Sequence, residues 1–295
     1  LLASRLPRRA LGLLALSLVV AVLLLTTIRY EHPPFGIQDL LSRLRPFQES
    51  SPNSHRTNKM SQPVKRTAAV IFSHGLGDSS AGWSFLAEQL GSVLPWVNCF
   101  PDAPLQPVTL NMGAKMQSWF DILGLRPDAP EDEKGLLESV KTIQSLVDKQ
   151  IQAGIPSERI VVGGFSQGGA ISILTGLMSP SPLAGVACLS GFLTLKDKIK
   201  QLQGPHASQL NVFWGHGTSD PVVQLSLPFV SLVSIIHISK EKGKYQWGSK
   251  SVDFLKEELG LTNVDFKSYP DLVHSASPLE LKQLSEWLLT RLPNQ

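Results

Sequence analysis

The run Gly164-Phe165-Ser166-Gln167-Gly168 sets a serine midway between two glycines, after the apolar stretch 159–165 and ahead of a helix-like stretch 166–177. A hydroxyl becomes a useful nucleophile when it is exposed and a neighbouring base takes its proton. A very sharp strand-to-helix turn supplies the exposure, and glycines on both sides leave room for the crossing chains. Gly163 and Gly169 widen that clearance. The same turn leaves the Gln167 N–H free at a helix N-terminus, where it can stabilise a developing oxyanion. An ordinary glycine-rich turn would also explain the spacing. The strand before it and the helix after it favour the chemical reading.

A serine on such a turn is followed along the chain by an acid and then a histidine. His32, His55 and His74 precede Ser166; His206 and His216 come before any acid in a good loop position; and His237 lies in an apolar stretch that looks inserted. His274 remains, in the loop Pro270-Asp271-Leu272-Val273-His274. Asp220 follows the apolar stretch 210–214 at the end of a strand, where ligands of parallel sheets collect. Asp253 falls in a helical pattern, Asp265 in a strand pattern, and Asp271 is too near His274 along the chain. The expected relay has Asp220 orienting His274, and His274 removing the proton of Ser166. A second oxyanion donor should come from the loop after the first strand, with Leu76 as its best candidate.

The elements that must hold these groups alternate. Short apolar runs at 68–73, 159–165, 184–190, 210–214 and 264–269 read as buried strands. Helical spacing runs over 83–94 and 278–291, and most clearly over 131–153, opened by Pro130 and three acids and closed by Gly154. Alternation of this kind predicts a mostly parallel sheet covered on both faces, and together with the serine turn at a strand-to-helix junction it reads as an α/β-hydrolase fold. The catalytic domain is expected over 60–295.

Composition removes other classes. The 295 residues are 42% hydrophobic and 17% charged, with a net charge of +3. Residues 1–59 hold eight Lys/Arg against three Asp/Glu, so the remainder is close to neutral and no basic stripe points to nucleic acid. Cys99 and Cys188 each sit in an apolar run and read as small buried residues. The seven histidines show no metal-ligand spacing, so neither metal nor cofactor is expected.

The N-terminal 1–59 stands apart. Residues 10–28 carry no charge and follow Arg5, Arg8 and Arg9. Three readings stay open: a membrane anchor or signal, an organelle-targeting peptide, or sequence brought in by the gene model ahead of Met60. A real anchor would offer membrane association and, by the arginines, a lumenal domain. Residues 46–67 read as a linker.

Several stretches resemble the acyl-protein thioesterase and lysophospholipase family of cytosolic carboxylesterases. They are Ala69-Val70-Ile71-Phe72-Ser73-His74-Gly75-Leu76-Gly77-Asp78, Pro107-Val108-Thr109-Leu110-Asn111-Met112, Ser118-Trp119-Phe120-Asp121, Gly154-Ile155-Pro156, and Gly163 to Ala170 around the serine. The resemblance covers nearly all of 66–295. It implies removal of long-chain acyl groups, palmitoyl above all, from cysteine thioesters in proteins. Lysophospholipids and small esters would be side substrates, S-acylated proteins the partners, and the cytoplasm and nucleus the location. At matching positions it implies Ser166, Asp220 and His274 as triad and Leu76 with Gln167 as oxyanion donors. It also implies an acyl-channel wall over 110–119, with Met112, Met116 and Trp119 touching substrate; plain core packing explains each of these three equally well.

The chain departs from the family pattern twice. Residues 224–243 intervene shortly after Asp220, with an apolar run interrupted by Pro228. Untranslated sequence retained by the gene model is the expectation, and a membrane-dipping lid the alternative. No cysteine precedes Cys99, which removes the acylated N-terminal cysteine some relatives carry. Two rivals follow: a membrane-anchored or lumenal carboxylesterase or lysophospholipase with the same triad, and a non-catalytic acyl-binding protein whose inserted segment displaces Asp220. Oligomeric state has no signal in the sequence.

Overall fold

Side-chain alternation along the strands decides the layers. In β1 (Ala69–Ser73), Ala69 and Ile71 join one apolar cluster while Val70 and Phe72 join another, the two-residue period of a strand buried on both faces. The computed structural model describes residues 66–91, 97–124, 129–220 and 246–293. By contacts the chain divides between Ser61 and Gln62, and every described residue belongs to the second unit. The segments 10–28 and 224–243 singled out above lie outside the described residues.

Six strands form the main sheet: β1, β2 (Val97–Cys99), β5 (Ile160–Phe165), β6 (Gly185–Leu189), β7 (Val212–Gly217) and β8 (Val264–Tyr269). Their order is β2-β1-β5-β6-β7-β8, and each neighbouring pair is parallel. A separate antiparallel hairpin joins β3 (Leu105–Val108) to β4 (Ala114–Gln117). The predicted α/β-hydrolase sheet is therefore present, with β2 and the hairpin added to the expected strands.

Helices cover both faces. On one side lie α1 (Ser80–Gly91), through Trp83 and Leu86, and α6 (Pro278–Arg291), through Leu281, Leu284 and Leu288. On the other lie α2 (Glu133–Gln152), α3 (Gln167–Met178) and α5 (Gln246–Glu257). The short α4 (Lys196–Leu202) buries Ile199 against this second layer. Leu136, Val140, Ile143 and Val147 form the buried stripe of α2, as the helical spacing requires. Asp132 caps α2 by accepting from the Gly135 N–H at 3.0 Å, and Gly154 follows its end at a φ of +92°. Each fully buried Leu or Ile side chain stabilises the fold by about 1.5–3 kcal/mol.

This topology fixes where a site can form. From β1 the chain runs to β2 on one side, while β5 lies on the other, so order reverses around β1. A crevice opens at such a reversal beyond the C-terminal strand ends. The loop after β1 and the turn after β5 both empty into it. Among the described residues no helix is long and apolar enough to cross a membrane.

Candidate active site

Ser166 sits between β5 and α3 with φ 56° and ψ −116°, a backbone region that costs about 1–3 kcal/mol for a residue with a side chain. The glycines explain how it is tolerated. A Cβ on Gly164 would lie 2.6 Å from the Ser73 carbonyl oxygen, and one on Gly168 would lie 2.5 Å from the Ser73 carbonyl carbon. Both positions press on the end of β1, so any side chain there would force the strands apart. The Ser166 N–H donates to the Leu189 carbonyl at 2.9 Å, which pins the turn to β6.

The three groups selected by chain order meet. His274 Nε2 lies 2.9 Å from Ser166 Oγ, and His274 Nδ1 lies 2.7 Å from Asp220 Oδ2. A carboxylate oxygen only accepts, so Nδ1 carries the proton and Nε2 is left to accept from the serine hydroxyl. Asp220 is fully buried and the His274 side chain is 15% exposed, so their interaction is little screened by water. The His274 ring packs on Phe165 with centroids 4.8 Å apart, which limits its rotation.

Two loops deliver this pair, and they are laced together. The Thr218 N–H donates to the Tyr269 carbonyl at 2.9 Å, and the Ser219 N–H to the Leu272 carbonyl at 3.0 Å. The Asp271 N–H donates to Thr218 Oγ1 at 3.0 Å, with Asp271 at a φ of 59°. Gly217 allows the approach, because a Cβ there would lie 2.8 Å from the Leu272 carbonyl carbon. Asp253 lies in α5 and Asp265 in β8, and it is Asp220 that hydrogen-bonds His274. The sequence pattern assigned Gly217 no role; its signal was a glycine at the end of the strand that precedes the acid.

The expected oxyanion donors are equally braced. Gln167 opens α3, so its N–H has no partner within the helix. Its buried amide accepts from the Trp119 N–H at 3.1 Å and from Ser118 Oγ at 3.2 Å, and donates to the Phe120 carbonyl at 2.8 Å. The loop carrying Leu76 is held by the Gly77 N–H on the Gln117 carbonyl at 2.8 Å and by Trp119 Nε1 on the His74 carbonyl at 2.8 Å. His74 Nε2 accepts from the Ala103 N–H at 3.0 Å. Leu76 and Gln167 line one cavity with Ser166 and His274.

That cavity encloses about 710 Å³, within the range of small-molecule sites. Its apolar wall comes from Phe120, Ile122, Leu123, Leu136, Phe192 and Trp247. Glu131, Lys196 and Lys250 add charge to the lining. Burial pushes the Glu131 carboxyl up and the Lys196 ammonium down from their ordinary values. Both shifts disfavour charge in an apolar surrounding.

Three expected substrate contacts lie outside the lining of that cavity. Within 110–119 the cavity takes Leu110 alone. Met112 adopts φ 56° at the hairpin turn and is 95% exposed, directed to solvent by the reversal before Gly113. Met116 Sδ sits beside Gly77 and receives the Asn111 side-chain N–H at 3.1 Å. Trp119 is buried in the core, where its indole N–H binds the His74 carbonyl. Trp119 and Met116 therefore brace the loop after β1 instead of walling the cavity. Aromatic and apolar residues from 120–123, α2 and α5 take that place, because only packing reveals which faces surround the opening.

Comparison with known proteins is consistent across sequence and structure. Residues 57–242 match the phospholipase/carboxylesterase family. Acyl-protein thioesterase 1 of Mycosarcoma maydis is 47% identical over 247 residues, 79% of this chain and 94% of that protein. Acyl-protein thioesterase 1 of Cryptococcus neoformans var. neoformans serotype D is 42% identical over 258 residues, 82% of this chain and 99% of that protein. The crystal structure of Zea mays acyl-protein thioesterase 2 superposes with a TM-score of 0.61 at 30% identity, covering 79% of this chain and 97% of that one. Arabidopsis thaliana SOBER1 gives a TM-score of 0.65 at 33% identity, covering 77% and 99%.

Proposed function

The chain belongs to the phospholipase/carboxylesterase family, and from that membership we propose that it is a serine hydrolase that removes long-chain acyl groups from cysteine thioesters in proteins. The observation that carries this reading is a continuous relay, Asp220 to His274 to Ser166, whose hydroxyl opens into a largely apolar cavity. Asp220 fixes the tautomer of His274 and balances the imidazolium that forms. His274 takes the Ser166 proton as Oγ attacks the acyl carbonyl. The Gln167 and Leu76 N–H groups stabilise the resulting oxyanion. Collapse expels the thiol, and water attacks the acyl-enzyme with His274 again as base.

A triad able to expel an alkoxide will also expel a thiolate, whose parent thiol has a pKa of about 8.5. The substrate class therefore rests on the relatives, both named acyl-protein thioesterase 1 at 42% and 47% identity. The apolar wall supports a long acyl chain, and lysophospholipids and small esters are side substrates of the same site. S-acylated proteins are the partners, and the cytoplasm and nucleus the place of action. If residues 10–28 act as an anchor, the same site works on membrane-held acyl substrates.

The test is hydrolysis of a palmitoyl-cysteine peptide by the full chain, by a form lacking 224–243, and by Ser166→Ala. Release of palmitate by the first two and background rates for the third are expected. Equal turnover with and without the Ser166 hydroxyl would refute the mechanism, and cleavage of oxygen esters without any thioester cleavage would refute the substrate class.

A further inference from the structure

A second histidine stands behind the relay. His216, the fifth residue of β7, is 1% exposed, and its Nε2 lies 3.4 Å from Asp220 Oδ2, the oxygen that also receives His274 Nδ1. Its opposite face is closed by α5. A Cβ on Gly248 would lie 2.5 Å from His216 Nδ1 and 2.9 Å from its Cγ, so the helix backbone rests against the ring because Gly248 has no side chain. Among the described residues Nδ1 has no hydrogen-bond partner. Among the described residues, Nε2 is the nitrogen that lies near a polar group, the Asp220 carboxylate.

We propose that His216 is a positioning residue for hydrolysis: as a neutral imidazole carrying its proton on Nε2, it directs that N–H at Asp220 Oδ2 and holds the carboxylate in the orientation His274 requires. This rests on the reading of Ser166, His274 and Asp220 as the triad and adds a fourth member to it. The chemistry is consistent on three counts. A carboxylate with no exposure depends on donors to remain charged, since burial disfavours its anion. Burial also holds His216 below the ordinary histidine value, the Asp220 charge opposing that shift and His274 reinforcing it. A neutral His216 leaves the Asp220 charge available to His274, whereas an imidazolium would compete for it.

The placement also connects the triad to the cavity wall. Trp247, beside Gly248, lines the cavity, and Ser251 Oγ ties α5 back by donating to the Trp247 carbonyl at 2.7 Å and accepting from the Leu193 N–H at 3.0 Å. His216 is thus clamped between the acid and a fixed helix. Among the described residues, Asp220 and His274 are the ionisable groups that act on it, and α5 presents it with Gly248.

The test compares His216→Leu, which keeps bulk without a donor, with His216→Gln, whose amide N–H reaches about where Nε2 was. Steady-state hydrolysis of an acyl-cysteine peptide is followed against pH in the full chain, with Ser166→Ala alongside. A donor to a charged acceptor, at the long separation seen here, sets the expected loss in kcat for His216→Leu at about tenfold, with KM changed less than about twofold. Without that donor Asp220 is more basic and holds the His274 proton harder, so the acidic limb of kcat/KM moves to higher pH. His216→Gln restores most of kcat and the original limb. If His216→Leu does not fold, Gly248→Ala carries the comparison, since its Cβ displaces the ring from outside and should give the same kcat loss and limb shift. Equal losses in Leu and Gln variants, or an unmoved pH limb, would overturn the proposal. If wild type and Ser166→Ala turn over alike, the triad reading itself has failed; if they differ while His216→Leu matches wild type, only the role of His216 has.

Discussion

Glu280 offers the sharpest quantitative prediction. It lies at the third position of α6, where the Ser277 side chain accepts from the Glu280 N–H at 3.1 Å and Glu280 Oε2 accepts from the Ser277 N–H at 3.3 Å, forming a capping box. The residue has no exposure, and among the described residues Oε1 has no hydrogen-bond partner. It faces Gly215 in β7, where a Cβ would strike it, and Tyr269 packs alongside. Burial raises the Glu280 carboxyl from 4.5 to about 7, partly offset by the Ser277 N–H. The folded chain therefore binds a proton that the unfolded chain has released between these values. Stability from this group is complete below 4.5 and is lost as pH rises through about 7. At about 1.4 kcal/mol per pH unit, the loss amounts to about 3 kcal/mol. Glu280→Gln keeps the acceptor for Ser277 and cannot ionise. Urea unfolding of both proteins at pH 5 and pH 8 should show the wild type losing about 2.5 kcal/mol more than the variant between the two conditions, the remainder having been lost below pH 5. Using the difference between pH values cancels any constant cost of burying the amide. Identical pH slopes in the two proteins would refute the reasoning.

Other perturbations separate the parts of the site. Asp220→Asn should leave the fold intact by circular dichroism but lower kcat about 10³–10⁴-fold, because the wrong His274 tautomer then faces Ser166; a loss below about tenfold would remove Asp220 from the relay. Gly168→Ala directs a methyl into the Ser73 carbonyl, and should abolish both fluorophosphonate labelling and cooperative thermal unfolding. Ile122→Trp fills part of the apolar wall, and should reduce kcat/KM for palmitoyl over butyryl esters by about tenfold while short-chain turnover holds; an unchanged ratio would place the acyl chain elsewhere.

The turn at Ser166 was legible in the chain because its constraints are local. A residue at φ 56° needs glycines where strands cross within a few positions, and that requirement is written as spacing around Ser166. The buried strands were legible for a similar reason, since elements covered on both faces read as short apolar runs, and β8 and α6 fall at the residues the pattern selected. The order of serine, acid and histidine narrowed the partners to Asp220 and His274, but order carries no distance. His274 lies 108 positions from Ser166, and the 2.9 Å between them comes from six parallel strands holding their loops at one edge.

What packing alone decided is which residues surround that edge. Met112, Met116 and Trp119 share a segment with Leu110, yet hairpin reversal sends Met112 to solvent and the other two to the loop after β1. Phe192, Leu136 and Trp247, distant in sequence, form the wall instead. His216 was set aside because it precedes the acid, and its closeness to Asp220 arises where β7 turns beneath α5. Local sterics and the burial period of each element are encoded residue by residue. Contacts between elements depend on how whole faces settle against one another, and that is set only when the entire core is assembled.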